Sequence, residues 1–136
     1  AKGMKEAQLE LQRVRIAADP GRVAAFEKGL ADGGYEGAQL AIADLLAERY
    51  ELAKGIPDAG SRRVYPPVAI SSRFIDGGDF QRAIDWLEEG YEAGDPNLPY
   101  LGLPLFDPLR SNPRFQDLAR RMNLPHVVSA ATSYQQ

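Results

Sequence analysis

The 136-residue sequence contains no cysteine, a single tryptophan and a single histidine. Without cysteine, disulfides, zinc–thiolate centres and cysteine nucleophiles are excluded. A reducing cytoplasm suits such a chain, and cytoplasmic is the expected location. The one histidine, His126, stands beside Pro125 near the C-terminus. A general base or metal ligand needs partners in space, and the neighbouring sequence offers none, so a surface role is expected. Long apolar runs are missing as well. Nothing approaches the roughly 18 residues that a membrane span requires. No apolar stretch that could serve as a signal peptide follows Ala1-Lys2-Gly3-Met4-Lys5, where Met4 reads as the natural start. Neither a GxxxxGK[ST] loop nor a GxGxxG fingerprint occurs, so Gly33-Gly34 and Gly77-Gly78 read as turns rather than phosphate cradles.

What is present is an ordinary globular balance, 44% hydrophobic and 26% charged, and a length suited to one core. The expected organisation is a single domain over residues 4–126 with a loose tail at 127–136. The formal net charge of −3 is unevenly distributed. Residues 76–95 carry seven acids against Arg82, whereas residues 110–121 carry four arginines against Asp117. Arg62, Arg63 and Arg73 fall in a stretch, 60–73, that has no acid at all. Overall acidity argues against a nucleic-acid binder, whose footprint is broadly basic. The local basic segments suit an acidic peptide or protein surface.

Apolar spacing predicts helices almost throughout. Residues 4–18 hold Leu9, Leu11, Val14 and Ile16 on an imperfect face, and Asp19-Pro20 then supplies a cap and a first-position proline. Val23, Phe26 and Leu30 recur at helical spacing over 21–31. Ala38, Ile42, Leu45 and Leu46 do so over 35–53, beyond the Gly33-Gly34 turn. A linker is expected at Gly55–Arg63. Tyr65-Pro66-Pro67 opens a further helix carrying Ile70 and Phe74, closed by Gly77-Gly78. The clearest helix is 80–93, with Phe80, Ala83, Ile84, Leu87 and Tyr91 on one face, Asp79 placed to cap it, and an acidic opposite face that reads as solvated. Leu101, Leu103, Leu105 and Phe106 read as a loop folding back on the core. Asn112-Pro113 starts a last helix that Pro125 should stop.

One pattern occurs twice. Gly33, Tyr35 and Ala38 have the same spacing as Gly78, Phe80 and Ala83: a turn glycine, an aromatic near the turn, and a small residue where two helices approach. In this the chain resembles tetratricopeptide repeats. Residues 67–96 match best, through Ile70, Ser71, Phe74, Gly78, Phe80, Ala83, Leu87, Gly90 and Pro96. Gly90 stands where alanine is usual, and Pro67 where a large aromatic is. Residues 20–53 match through Gly33, Tyr35, Ala38 and Ile42, with Gly29 in place of an aromatic. The run from Asp95-Pro96-Asn97-Leu98 through Asn112-Pro113-Arg114-Phe115 resembles the segment after the last repeat in bacterial proteins of this family. The resemblance implies an all-α fold: antiparallel helix pairs stacked as a short right-handed α-solenoid, with a C-terminal capping helix formed within residues 98–122. It also implies binding of a peptide or partner domain in a groove.

The resulting expectation is a protein–protein interaction module, not an enzyme, with no cofactor, no metal, no membrane and no direct nucleic-acid contact. Arg62, Arg63 and Arg73 near Tyr65 are the candidate contact patch, because guanidinium forks grip carboxylates and tyrosine adds rigid amphipathic area. Tyr50 and Trp86 are candidate groove anchors, with core packing as the competing reading. Arg110, Arg114, Arg120 and Arg121 form a second basic run. The alternative function is structural: a self-associating helical-repeat protein, a homodimer without a separate ligand.

Overall fold

Helix ends determine this architecture. In the computed structural model, which describes residues 2–54 and 65–124, every regular element among those residues is helical. Helices α1 (Lys2–Ile16), α2 (Pro20–Lys54), α3 (Pro67–Asp76) and α4 (Phe80–Ala93) are followed by two 3-10 turns, Leu98–Gly102 and Pro104–Leu109, and by α5 (Pro113–Arg121). The chain divides into two compact units. One comprises Ala1–Val64 with Asp76–Gly78, the other Tyr65–Ile75 with Asp79–Gln136. The expected linker at 55–63 and the expected tail at 127–136 lie outside the described residues.

In the first unit α2 is a hairpin. Gly33 and Gly34 leave the helical region, and Gly34 takes φ 66 and ψ −150, a conformation open essentially to glycine alone. The two limbs then run back on each other and touch at backbone level. A Cβ on Gly29 would collide with the carbonyl of Gly37 and lie 2.7 Å from the Ala41 Cβ. Glycine at position 29, where the repeat pattern expects an aromatic, is therefore what lets these limbs close. At the open end of the hairpin, Asp19 accepts from the Arg22 N–H at 3.2 Å, capping α2 as expected. Its carboxylate also receives both terminal nitrogens of Arg49, at 2.7 and 3.0 Å, which ties the start of α2 to its second limb. Phe26, Ala38, Ile42, Ala43 and Leu46 form the core, joined by Ile16 of α1. The rest of the α1 contact is polar. Gln12 and Gln39 exchange amide hydrogen bonds at 3.2 and 2.8 Å, Tyr35 donates to Gln8 at 3.1 Å, and Arg13 grips Glu27 at 2.9 Å.

Helices α3 and α4 form a further hairpin, most of it within the second unit. Gly78 (φ 80) makes the turn. Asp79 then acts twice: its N–H closes α3 on the Phe74 carbonyl at 2.9 Å, and its carboxylate caps α4 at the Arg82 N–H, 3.1 Å away. The helices interlock where Ser71 Oγ donates to the Ala83 carbonyl at 2.7 Å, and the Arg82 guanidinium lies 4.6 Å from the centre of the Phe74 ring. Pro67 begins α3, and Pro66 before it has no side-chain acceptor to offer. Asp95, from beyond α4, supplies one, accepting from the Val68 N–H at 2.9 Å. Gly90 leaves the room for this: a Cβ there would lie 3.3 Å from Pro67 Cβ and 3.4 Å from Asp95 Cβ. The segment after α4 packs back on it through both 3-10 turns and α5. Helix α5 ends before Pro125. Asn123 adopts φ 60, and the Leu124 N–H returns to the Ala119 carbonyl at 2.8 Å, so the stop is a left-handed asparagine and not the proline.

Gly29→Ala should destabilise the chain by about 1–3 kcal/mol in urea unfolding, because the limbs must separate. Gly33→Ala, which meets nothing within 4 Å, should stay within about 0.5 kcal/mol. The Arg49 and backbone hydrogen bonds hold the Asp19 carboxyl well below the usual carboxylate range. A lowered folded-state pKa stabilises above the ordinary value and ceases to do so as pH falls through it. The stability gap between wild type and Asp19→Asn should therefore be full near neutrality and shrink as pH is lowered from about 5 towards 2.

Candidate binding surfaces

Of the six residues expected to contact a partner, four lie among the described residues. Arg62 and Arg63 lie outside the described residues. Tyr50 belongs to the first unit, half-buried on the second limb of α2, with the Lys54 ammonium 5.0 Å from its ring centre. Tyr65, Arg73 and Trp86 belong to the second unit, and all three are half-buried. Tyr65 stands two residues before α3, Arg73 lies in its last turn, and Trp86 flanks the buried stripe of α4 beside Leu87.

The second basic run is largely consumed within the fold. Arg110 is only 5% exposed. Its Nε donates to Asp107 at 2.6 Å, and its Nη2 donates to the carbonyls of Gly102 and Leu103 at 2.7 and 2.9 Å. The planar guanidinium thereby ties the two 3-10 turns together, which a lysine could not do. Arg114 reaches from α5 to the acidic face of α4, contacting Asp85 at 2.6 Å and Glu88 at 2.7 Å. These two carboxylates raise its pKa further above the ordinary guanidinium value. The acidic face is thus partly a docking strip for α5, not only a solvated surface. Arg121 pairs with Asp117 at 3.1 Å and lies 5.1 Å from the Tyr91 ring centre.

The outward apolar surface lies where composition suggested core. In a 3-10 turn, side chains three apart eclipse. Leu98 and Leu101 are accordingly buried together, as are Phe106 and Leu109. The positions between them face out: Tyr100 is 58% exposed, Leu103 49% and Leu105 41%. Pro99 and Pro104 are exposed beside them. Leu103 and Leu105 therefore do not fold back on the core as expected, whereas Leu101 and Phe106 do. From Leu98 to Phe106 no residue is charged. The first unit has a second such feature on α1, where Met4, Leu11 and Val14 are exposed.

Among the described residues no group of three or more His, Asp or Glu side chains is placed to hold a metal ion, and no helix is long and apolar enough to cross a membrane. The chain matches no protein-family model, no curated protein and no solved structure.

Arg110→Lys should lower stability by about 1.5–3 kcal/mol, because three charge-assisted hydrogen bonds cannot be rebuilt from one ammonium. Arg120→Lys, on the exposed face of α5, should change it by no more than about 0.5 kcal/mol. Urea denaturation of the two variants side by side provides the check.

Proposed function

We propose that the chain is a non-enzymatic protein-interaction module, built from helix pairs of the tetratricopeptide-repeat kind, that binds a protein partner through the segment Pro99–Leu105. The observation that carries this reading is the uncharged stretch 98–106, which buries Leu98, Leu101 and Phe106 as anchors and turns Tyr100, Leu103 and Leu105 to solvent. Exposed apolar side chains gathered on a pinned segment suit a binding surface, and tyrosine gives large contact area for little lost rotamer freedom. Arg110 holds the carbonyls of Gly102 and Leu103, so the segment meets its partner already shaped and loses less entropy on binding.

The repeat relation is supported by positional correspondence between the two hairpins. Gly29 and Gly37 meet across the first turn, and Phe74 and Arg82 across the second, each pair eight residues apart. Ala38 and Ala83 are both fully buried five residues after the aligned Gly33 and Gly78.

The experiment is affinity capture from host lysate with quantitative mass spectrometry, comparing wild type, a Tyr100→Ser/Leu103→Ser variant and a Tyr65→Ala/Arg73→Ala variant. A protein recovered in stoichiometric amount by the wild type is expected to lose about 2 kcal/mol of binding, roughly 30-fold in affinity, with the first variant. Loss with the second variant alone would move the surface to the Tyr65–Arg73 patch and refute the assignment to 99–105.

A further inference from the structure

Helix α1 is oriented against expectation for an amphipathic helix. The side chains it turns towards α2 are mainly polar: Gln8, Gln12 and Arg13, with Ile16 buried and Leu9 half-buried. Its other large apolar residues point the other way. Met4 is 64% exposed, Leu11 51% and Val14 75%, and Ala7 between them is exposed too. Met4, Ala7, Leu11 and Val14 are spaced three, four and three apart. That is the a–d–a–d seam of a two-heptad coiled coil, running about 16 Å along the helix.

The charges beside this stripe select its occupant. With Met4 and Leu11 at a and Ala7 and Val14 at d, Glu10 falls at g and Arg15 at the following e. In a parallel pair of identical helices, each g residue faces the e residue five places on in the partner. Each Glu10 would then meet the other chain's Arg15, twice per dimer. An antiparallel pair aligned on the same seam would instead set Glu10 against Glu10 and Gln8 against Gln8, and would carry Arg15 past the partner's acids. Arg15 is exposed and has no ion pair among the described residues. Glu10, 72% exposed, is held from the side by Arg13 Nη1 on its Oε1 at 2.6 Å.

We infer that α1 is a self-association helix: it pairs in parallel and in register with α1 of a second copy of this chain, with Met4, Ala7, Leu11 and Val14 as the seam and Glu10–Arg15 as the flanking contacts. The inference is independent of the Pro99–Leu105 surface, and a Tyr100→Ser variant should associate as the wild type does.

Sedimentation equilibrium across about 1 µM to 1 mM tests it, because a two-heptad seam gives a concentration-dependent dimer. The mass should rise from 14.9 kDa towards twice that value. Val14→Glu should abolish the rise with helix content unchanged in circular dichroism, since Val14 is largely exposed. Arg15→Glu alone and Glu10→Arg alone should each weaken association about tenfold, because two attractive contacts become repulsive. The double exchange within one chain should restore it, as only a parallel arrangement allows. The chain has no cysteine of its own, so Val14→Cys should yield a single disulfide-linked dimer under mild oxidation. A one-chain mass at every concentration, a dimer that survives Val14→Glu, or a double exchange that fails to restore association would each overturn the proposal.

Discussion

A helix of nine to fifteen residues is mostly ends. Four N–H groups and four carbonyls at each pair of termini lack partners within the helix, and an unsatisfied buried one costs about 1–3 kcal/mol. This constraint shapes the chain more than any single apolar contact, and three aspartates meet it. Asp19 returns its N–H to the Ile16 carbonyl and offers its carboxylate to the first turn of α2. Asp79 closes α3 and opens α4. Asp95 closes α4 on the Gly90 carbonyl, and its carboxylate reaches both back to the Val68 N–H that opens α3 and forward to the Asn97 N–H before the next element. Each residue finishes one helix with its backbone and starts another with its side chain, so a single position fixes both the end of an element and the direction of its neighbour.

What could be read from the sequence follows from how local each of these arrangements is. The caps at Asp19, Asp79 and Asn112 sit two or three residues from the N–H groups they serve, and their spacing identifies them. The helices themselves, and the turns at Gly33-Gly34 and Gly78, are equally local. The role of Asp95 at Val68 spans 27 residues, and no window along the chain contains it. The same is true of Arg114, which leaves a basic run to join the acidic face of α4. Read separately, the two runs looked like two solvated surfaces. Within 98–109 the difficulty was one of period. Alternating leucines suggested a buried loop, whereas a three-residue repeat sends Leu101 inward and Leu103 outward. Contact residues are the hardest to choose from spacing, because a surface depends on which faces remain uncovered, and that is decided only after packing.

Where the chain differs from the repeat pattern it was expected to follow, the differences make sense in pairs. Pro67 in place of an aromatic and Gly90 in place of alanine occupy one contact, where a Cβ on residue 90 would crowd both Pro67 and Asp95. Gly29 faces Gly37 at the place where, in the other hairpin, Phe74 faces Arg82. One hairpin closes by bringing two backbones together, the other by stacking a cation on a ring. Taken one at a time, these residues only interrupt a pattern. Taken as pairs, they are two ways of filling the same space between two helices.

The reach of Asp95 back to Val68 also orders events in time. A chain is made from its N-terminus, and small units begin to fold as they emerge. Helix α3 is complete in sequence at residue 76, well before the carboxylate that satisfies its first turn has been synthesised. Until residue 95 is out and α4 has turned back, the Val68 N–H at the start of α3 can bond only to water, and a ten-residue helix is too short to persist on its own. The second unit is thus built to wait for its own later residues. Its two helices become stable together, when the segment after them arrives, rather than one after the other.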